Sequence, residues 1–270
     1  MTESAQHKTP FVISDVDGTF IRWQLFHRLA EGMVEYGLQP KVVLARIQEA
    51  LEGYRNREAP FKKFADIAVE AYQGGGRMRD IRVDDVEIVA REIIKKEGKH
   101  VHDFTRELLA AGKASGYGTA FISGSPVQVV HQLALHYKVD AWLGTEHPHE
   151  NGVFTGGEQR EWVMDKRSAV LHLEKIHGID LMRSVAIGDS ESDIPMLEMV
   201  AYPLVFNPNE GLYRAAQKKR WPVVLEKKLV YVERFLNGSD TRGNTVLNDI
   251  LPAQIADGLS ARLSALGILV

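Results

Sequence analysis

The stretch FVISDVDGTF (residues 11–20) places two aspartates, Asp15 and Asp17, directly after a short apolar run. The apolar residues 11–13 are typical of a buried β-strand. Residues i and i+2 of an extended segment point to the same side, so the two carboxylates are expected to converge. Like charges that close are unfavourable unless a cation or a shared proton lies between them. Taken alone, the motif also fits a simple turn in which Asp side chains bond the backbone.

The composition is that of an ordinary globular protein. The chain has 270 residues, of which 44% are hydrophobic and 26% are charged, a balance that indicates a folded domain with a sizeable core. The formal net charge of -3 gives no basic field for a nucleic acid. The chain has no cysteine, which excludes disulfides, thiolate metal sites and cysteine nucleophiles.

The sequence predicts no targeting or membrane segment. Its first ten residues, MTESAQHKTP, are polar and lack the apolar region of a signal peptide. No apolar run approaches the roughly 20 residues that a spanning helix needs. We therefore expect a soluble, cytoplasmic protein that has no nucleic-acid or membrane partner and is a monomer or a homodimer.

Short apolar runs alternate with helical patterns over most of the chain. After the first run, further strands are predicted at residues 117–122, 139–144, 184–188 and 202–206. Strands that alternate with helices favour a parallel sheet covered on both faces. We predict an α/β fold with a Rossmann-like core, formed by residues 8–20 and 99–225.

The remaining segments have other patterns. Residues 21–98 contain four stretches of helical periodicity and are predicted to form an all-helical cap inserted after the first strand. Residues 144–157 are rich in turn residues and predict a β-hairpin. Residues 226–270 are predicted to be a C-terminal helical extension, with a linker or turn at 237–244.

Three more polar clusters follow predicted strands or begin predicted helices. Ser123 and Gly124 follow one strand, in FISGSP (121–126), where hydroxyl and backbone N–H groups would hold an anion. Ser125 there is a plausible helix N-cap. In GDSESDIPML (188–197), Asp189 follows another strand and Asp193 lies one helical turn later.

Each of these clusters also has an ordinary structural interpretation. A capped helix start accounts for the serines, and acids in a first helical turn match the helix dipole. Lys166, in MDKRSA, is typical of a surface lysine. Ligands of open parallel sheets bind beyond the carboxyl ends of strands, however, and all the clusters fall near that edge. Their coincidence favours a functional site.

The clusters, in this order, resemble the four motifs of the haloacid dehalogenase-like superfamily. The first motif resembles Asp15-Val-Asp17-Gly-Thr19, Ser123 matches the second, Lys166 the third, and Asp189 with Asp193 the fourth. The helical insertion is similar to the cap of the branch that contains phosphoserine phosphatases. The resemblance covers residues 10–225 and implies phosphoric monoester hydrolysis.

The resemblance also implies roles for these residues. Asp15 would attack phosphorus to form an aspartyl-phosphate, and Asp17 would serve as general acid and base. Mg²⁺ would be the cofactor, bound by Asp15, the Asp17 carbonyl and Asp189. The positioning role falls to Asp193, which would orient this shell, and to Thr19, which would steady the first loop. The phosphoryl oxygens would be held by Ser123, the Gly124 N–H and Lys166.

The chain departs from the phosphoserine phosphatase pattern in the cap. Those enzymes have a glutamate shortly after the first motif that meets the substrate ammonium, whereas this chain has Gln24. Arg22 and Arg55 are basic instead and, with Gln24, are candidates for substrate specificity. We therefore predict a small-molecule phosphate ester as partner, with phosphoserine not the best substrate. Four histidines, His100, His102, His147 and His149, are predicted to be surface residues.

Three alternative functions fit all or part of the same set of residues. A phosphotransferase or mutase would form the same aspartyl-phosphate but pass the phosphoryl group to an alcohol. A response-regulator-like acceptor also combines strand-end acids with a lysine, but it lacks a large cap and the acid at Asp17. A binding protein on the same fold would hold a phosphate ligand without turnover.

Overall fold

An eight-stranded sheet forms the centre of the molecule. The computed structural model describes residues 8–56, 58, 61–74, 77–160, 165–226, 230–236, 239–241 and 247–267. Ten strands are described, of which β4 and β5 form a separate hairpin: β1 Phe11–Asp15, β2 Gly118–Pro126, β3 Ala141–Thr145, β4 His149–Glu150, β5 Val153–Phe154, β6 Val185–Gly188, β7 Tyr202–Phe206, β8 Val223–Glu226, β9 Val230–Leu236 and β10 Ser239–Thr241.

Ten α-helices are described around these strands: α1 Leu25–Glu35, α2 Lys41–Arg55, α3 Phe61–Gln73, α4 Val83–Glu97, α5 Asp103–Ala114, α6 Val127–Tyr137, α7 Lys166–His177, α8 Ile194–Leu197, α9 Glu210–Lys219 and α10 Ala253–Ala265. Short 3-10 turns occur at Leu181–Arg183, Glu191–Asp193 and Leu247–Asp249.

The strand order brings the predicted site residues to one edge. The sheet runs β10-β9-β8-β7-β6-β1-β2-β3, and the six strands from β8 to β3 are parallel. β1 is paired on one side with β2 and on the other with β6. The carboxyl ends of these three adjacent strands therefore carry Asp15, Ser123 and Asp189 to the same edge.

Helices cover both faces of the sheet. Val12 belongs to the apolar cluster on one face, and its neighbour Ile13 belongs to the cluster on the other. Both side chains are fully buried, as expected of a parallel strand whose successive residues face opposite layers. The predicted α/β class and Rossmann-like core with an inserted helical cap are confirmed.

The inserted segment consists of four helices. α1 and α2 are separated by Gly37, which has φ of +72°, and by Pro40, which precedes the first residue of α2. α1 crosses α4 closely, because a Cβ on Gly32 would lie 2.7 Å from a methyl group of Val89. The predicted domain boundaries at residues 20–21, 98–99 and 225–226 stay predictions.

The predicted hairpin is present as β4 and β5, and it contacts the helical insertion. The Val83 N–H donates to the Gly152 carbonyl at 2.9 Å, and the Phe154 N–H donates to the Ile81 carbonyl at 2.9 Å. The hairpin, which follows the edge strand β3, thus gives the insertion a contact with the rest of the chain besides its two chain connections.

The C-terminal segment is not the purely helical extension that we expected. β9 and β10 continue the sheet in antiparallel pairing beyond β8, where an uncovered edge would leave backbone groups unpaired. β10 also lies within the predicted linker. The last helix, α10, buries Leu259 and Leu263 in the core cluster on the α5 side, and Arg262 pairs with Glu107 of α5.

Two smaller expectations were wrong. α6 begins at Val127 with Pro126 as its N-cap residue, because β2 continues through Pro126; Ser125 therefore does not cap the helix. His102 and His147 are buried rather than on the surface, at 9% and 7% exposure.

Among the described residues, no helix has both the length and the apolar character needed to cross a bilayer.

Candidate active site

Asp15 lies at the end of β1 in contact with a buried lysine. The Lys166 ammonium donates to Asp15 Oδ1 at 2.5 Å and also to Asp193 Oδ1. Asp15 is 6% exposed, Lys166 1% and Asp193 not at all. Lys166, which we predicted to bind phosphate and whose alternative interpretation was a surface lysine, is therefore enclosed between two carboxylates.

The electrostatics of this cluster are dominated by burial and by an excess of negative charge. Burial raises the pKa of Asp15 to about 7; Lys166 opposes the rise, and the Asp193 and Asp17 carboxylates add to it. Burial alone would lower the pKa of Lys166, but Asp15 and Asp193 outweigh it and raise that pKa. Burial and the neighbouring acids also raise the pKa of Asp189 well above its usual value. The single positive charge of Lys166 therefore does not balance the negative charges of these acids.

Asp17 points to a different set of partners. Its Oδ2 accepts from Ser123 Oγ at 2.6 Å and from Ser125 Oγ at 3.0 Å. Its Oδ1 accepts from the Leu25 N–H, at the start of α1, at 2.6 Å. Burial raises the pKa of Asp17, and these hydrogen bonds oppose the rise. The two aspartates of the first motif therefore lie in distinct environments, as different roles require.

The residue that the sequence missed here is Ser125. It was predicted as a helix cap, but its hydroxyl donates to Asp17 and also accepts from the Phe26 N–H at 3.1 Å. The available signal was its spacing from Ser123, because residues i and i+2 of an extended strand point to the same side.

The first loop needs a glycine beside Asp189. Gly18 has φ of +89°, a conformation that side chains disfavour. A Cβ added there would lie 2.4 Å from Asp189 Oδ2. The next residue, Thr19, donates its hydroxyl to Asp189 Oδ1 at 3.2 Å. The predicted contact of Thr19 with the loop is in fact a contact between the first and fourth motifs.

Asp193 orients the turn after β6. Its Oδ2 accepts from the N–H groups of Asp189 at 3.0 Å and Ser190 at 2.8 Å, and from Ser190 Oγ at 3.1 Å. Gly188 allows this packing, since a Cβ there would lie 2.4 Å from Asp193 Cγ. Asp193 thus joins Lys166 to the backbone that carries Asp189.

Three carboxylates are placed to hold a cation. One oxygen each of Asp15, Asp189 and Asp193 lies within 4.8 Å of the others. Oxygen ligands and uncompensated negative charge fit a hard cation such as Mg²⁺. Asp17 was predicted to bind the metal through its backbone carbonyl. Its side-chain carboxylate points to Ser123 and Ser125.

The predicted phosphate-binding residues face this cluster from β2. Ser123 is fully buried, donates to Asp17 and accepts from the Ser125 N–H at 2.9 Å. The Gly124 carbonyl accepts from the Thr145 hydroxyl at 2.6 Å, which fixes the loop against β3.

Two of the specificity candidates, Arg22 and Gln24, line the same cavity. Arg22 uses its guanidinium on the Val101 carbonyl at 2.9 Å and on Glu226 at 2.5 Å, so it is engaged in structure. Gln24 borders a cavity of about 630 Å³, the cap pocket, together with Trp23, Leu51, Tyr54 and Phe64. The side chain of Arg55 lies outside the described residues.

The cap pocket contains polar atoms that have no partner in the structure. Both Trp23 Nε1, a donor, and Gln24 Oε1, an acceptor, are buried, and neither has a hydrogen-bond partner among the described residues. The pocket adjoins the acids, because the next residue, Leu25, donates its N–H to Asp17. Buried groups of this kind normally have partners, so the pocket is suited to a polar ligand.

The chain has relatives among known proteins. A Streptomyces azureus protein described as an inhibition of morphological differentiation protein is 30% identical over 140 residues, 51% of this chain and 50% of that protein. A phosphoserine phosphatase of Methanocaldococcus jannaschii is 24% identical over 203 residues, 74% of this chain and 87% of the enzyme. The chain spans about half or less of the length of the first curated relatives it matches.

The fold has relatives among solved structures. A protein of unknown function from Bordetella pertussis Tohama I superposes with a TM-score of 0.64 at 19% identity, covering 80% of this chain and 98% of that one. A family model described as haloacid dehalogenase-like hydrolase matches residues 12–198, which include all four motifs. The chain therefore belongs to the haloacid dehalogenase-like hydrolase family.

Proposed function

We propose that this protein is a phosphomonoester hydrolase that acts on a small phosphorylated metabolite through an aspartyl-phosphate on Asp15. The observation that carries the proposal is the position of the Asp15 carboxylate. It is buried at a strand end, contacts Lys166 at 2.5 Å and lies within 4.8 Å of Asp189. A nucleophile held against a fixed cation, at the edge where the other motifs converge, suits attack on a phosphoryl group.

In the first step an Asp15 oxygen forms a bond to phosphorus and the bond from phosphorus to the ester oxygen breaks. The leaving oxygen takes a proton from Asp17. Burial raises the pKa of Asp17, which favours the protonated form needed for this transfer. Ser123, Ser125 and the Leu25 N–H hold its carboxyl group in one orientation.

In the second step a water molecule attacks the aspartyl-phosphate. Asp17, now ionised, takes the proton of that water, inorganic phosphate leaves, and the Asp15 carboxylate is restored. Lys166, Ser123 and the Gly124 N–H would hold the phosphoryl oxygens through both steps. Lys166 is kept in place by Asp193, which it also contacts.

The residues present fit Mg²⁺, and Asp15, Asp189 and the Asp17 carbonyl would hold it. When bound, the ion would supply positive charge that favours the ionised form of Asp15 and offsets the charge of the phosphoryl group. Asp193 and Thr19 position Asp189 through the hydrogen bonds already described.

We propose the cap pocket as the place of the substrate's alcohol part. The relatives include enzymes named phosphoserine phosphatase, which makes phosphoserine the first substrate to test. Gln24 itself carries no charge for an ammonium group, and its carbonyl together with the Trp23 N–H suits a group with both a donor and an acceptor. Charged side chains, among them Glu31 and Glu52, also line the pocket. We predict that phosphoserine is not the best substrate.

The test is release of inorganic phosphate from a panel of phosphorylated metabolites, with Mg²⁺ or with EDTA. We expect release that requires Mg²⁺ and that Asp15→Asn abolishes. The matched control is Asp140→Asn, which changes a carboxylate just before β3 that accepts hydrogen bonds from Thr119 at the amino end of β2. Full activity of Asp15→Asn would refute the proposal, and a clear preference for phosphoserine would refute its substrate part.

A further inference from the structure

We propose that Glu226 is a positioning residue that clamps the two chain connections between the helical insertion and the sheet. These connections are the first linker, residues 18–24, and the second linker, residues 98–102. By holding both, Glu226 fixes the insertion relative to Asp17. The kinetic part of this inference rests on the proposed phosphatase function, whereas its structural part does not.

The two linkers are bonded to each other. Ile21 and Val101 form an antiparallel bridge. The Arg22 N–H donates to the His100 carbonyl at 3.2 Å, and the His102 N–H donates to the Phe20 carbonyl at 2.9 Å. The linkers therefore move together if they move at all.

Glu226, at the end of β8, binds this pair of linkers through its carboxylate. It is 7% exposed. It accepts from the Arg22 guanidinium at 2.5 Å, from His102 Nδ1 at 3.2 Å and from the N–H groups of Asp103 at 3.2 Å and Phe104 at 2.8 Å. One carboxylate thus receives donors from the first linker, the second linker and the first turn of α5.

The contacts go beyond the capping of α5. The Asp103 and Phe104 N–H groups alone would account for a carboxylate at that helix start. Capping of α5 does not require Arg22, whose side chain is 43% exposed. Arg22 is nevertheless held on Glu226 as well as on the Val101 carbonyl. His102 is oriented further by the edge of Phe206, 4.8 Å between ring centroids.

Glu226 is itself held rigidly. Its N–H donates to Asn207 Oδ1 at 2.8 Å, and Asn207 adopts φ of +39° after β7. Hydrogen bonds to an ionised acceptor are stronger than those between neutral groups, so a carboxylate fixed by its own backbone can hold both linkers. Glu226 lies at the end of β8, beyond residues 12–198, the part that matches the family model.

The first linker connects the clamp to the acids. It begins at the Gly18 N–H, which donates to the Ile21 carbonyl at 3.1 Å, and it ends at the residue before Leu25. The Leu25 N–H bonds Asp17, and Trp23 and Gln24 line the cap pocket. Release of Arg22 would therefore change the position of the general acid and of the pocket.

The test combines amide hydrogen exchange with kinetics on the full chain. The variants are Glu226→Ala, Glu226→Gln and Arg22→Ala. Glu198→Ala is the matched control, since it removes an exposed carboxylate with two ion pairs, to Arg167 and Lys219, that are remote from the linkers. Exchange is followed at residues 18–24 and 98–104, and kcat and KM are measured with acetyl phosphate and with the best bulky ester of the panel.

We expect Glu226→Ala to accelerate exchange in both linkers by about tenfold, because hydrogen bonds to a buried charge are lost. Glu226→Gln should retain part of the protection, since an amide oxygen still accepts. Arg22→Ala should accelerate exchange in the linkers but not at Asp103 and Phe104. In Glu226→Ala, kcat/KM should fall more for the bulky ester than for acetyl phosphate. Glu198→Ala should change neither the exchange rates nor the kinetics.

Acceleration confined to Asp103 and Phe104 in Glu226→Ala would overturn the clamp, because capping of α5 would then explain the residue. Equal kinetic losses with both substrates would overturn the positioning role. If Glu226→Ala fails to fold, unchanged linker exchange in Arg22→Ala overturns the clamp by itself. A wild-type protein without phosphatase activity would contradict the proposed function, while the exchange data would still decide the clamp.

Discussion

The strand-end acids and the cap pocket differ in how their polar groups are hydrogen-bonded. At the sheet edge, the carboxylates of Asp15, Asp17 and Asp193 all receive hydrogen bonds from within the chain. In the cap pocket, Trp23 Nε1 and Gln24 Oε1 are buried without partners. The difference indicates that the chemistry is assembled in advance, whereas the pocket's hydrogen bonds are left for a ligand to complete.

The sharpest test of this comparison is to remove the positive charge of Lys166 at the sheet edge. We expect Lys166→Met to reduce kcat by about a thousandfold, because the phosphoryl charge loses a fixed partner. The substitution should also lower the free energy of unfolding by about 3 kcal/mol, since Asp15 and Asp193 stay buried without it. Phosphate release and urea unfolding measure the two effects.

Lys219→Met is the control for that substitution, because it removes a partly exposed lysine that pairs with Glu198. Surface pairs of this kind contribute at most about 1 kcal/mol. If Lys166→Met kept wild-type turnover, the sheet edge would not be organised around this lysine as we infer.

Outside both regions, where the hairpin meets the helical insertion, lies a titratable group whose ring nitrogens have no hydrogen-bond partner among the described residues. His147 is 7% exposed, neither of its ring nitrogens has a hydrogen bond, and its ring meets the edge of Tyr72 from α3. Burial lowers the pKa of His147 to about 4. An unfolded histidine has a pKa of about 6.5, so the folded state binds the proton more weakly than the unfolded state.

The sign of the pH dependence follows from that depressed pKa. The contribution of neutral His147 is fully present above pH 6.5 and is lost as the pH falls toward 4, by up to about 3 kcal/mol. His147→Phe should remove this part of the slope. Urea unfolding at several pH values between 4 and 7.5 measures it, with His177→Phe as a control on α7. Parallel slopes for wild type and His147→Phe would show that the imidazole is not excluded from water.

The close contact of the first and fourth motifs supplies a smaller effect. Gly18→Ala should lower the free energy of unfolding by about 2 kcal/mol, since φ is +89° and the site restricts a methyl group. It should also reduce kcat at least about tenfold, because the added Cβ would displace Asp189 from its position.

Gly37→Ala separates the two causes. Gly37 has φ of +72° but no atom within 4 Å of an added Cβ. The substitution should therefore cost about 1 kcal/mol of backbone strain and leave kcat unchanged. Equal effects of the two substitutions on kcat would mean that the contact of Gly18 with Asp189 has no bearing on activity.

The same two regions mark what could be predicted from the sequence. Asp15, Ser123, Asp189 and Lys166 follow or precede short apolar runs, and the position of a residue after a parallel strand determines the edge where it lies. That relation is local, so the sheet edge could be predicted without knowing the fold in detail. Even there, the second hydroxyl on Asp17, from Ser125, was assigned to a helix cap instead.

Contacts that join distant segments could not be predicted. Glu226 bonds Arg22 and His102, which are separated from it by 204 and 124 residues, and no periodicity marks such pairs. Arg22, which also lines the cap pocket, was therefore predicted as a specificity candidate without its bond to Glu226. The strands β9 and β10 were missed for a related reason, because a strand that adds to an edge is defined by its partner as much as by its own pattern.

The smallest expected effect tests the cap pocket directly. Gln24→Leu replaces an amide whose Oε1 is buried without a partner, so we expect the free energy of unfolding to stay the same or rise by up to about 1 kcal/mol. The best ester of the panel should nevertheless bind less well, with KM raised about tenfold and kcat little changed, because its hydrogen bond to the amide is lost. Gln132→Leu is the matched control, since its amide is already bonded to Glu87 at 2.7 Å; it should destabilise the protein and leave KM unchanged. A loss of stability in Gln24→Leu with an unchanged KM would reverse the comparison, because the amide would then be serving the fold rather than a ligand.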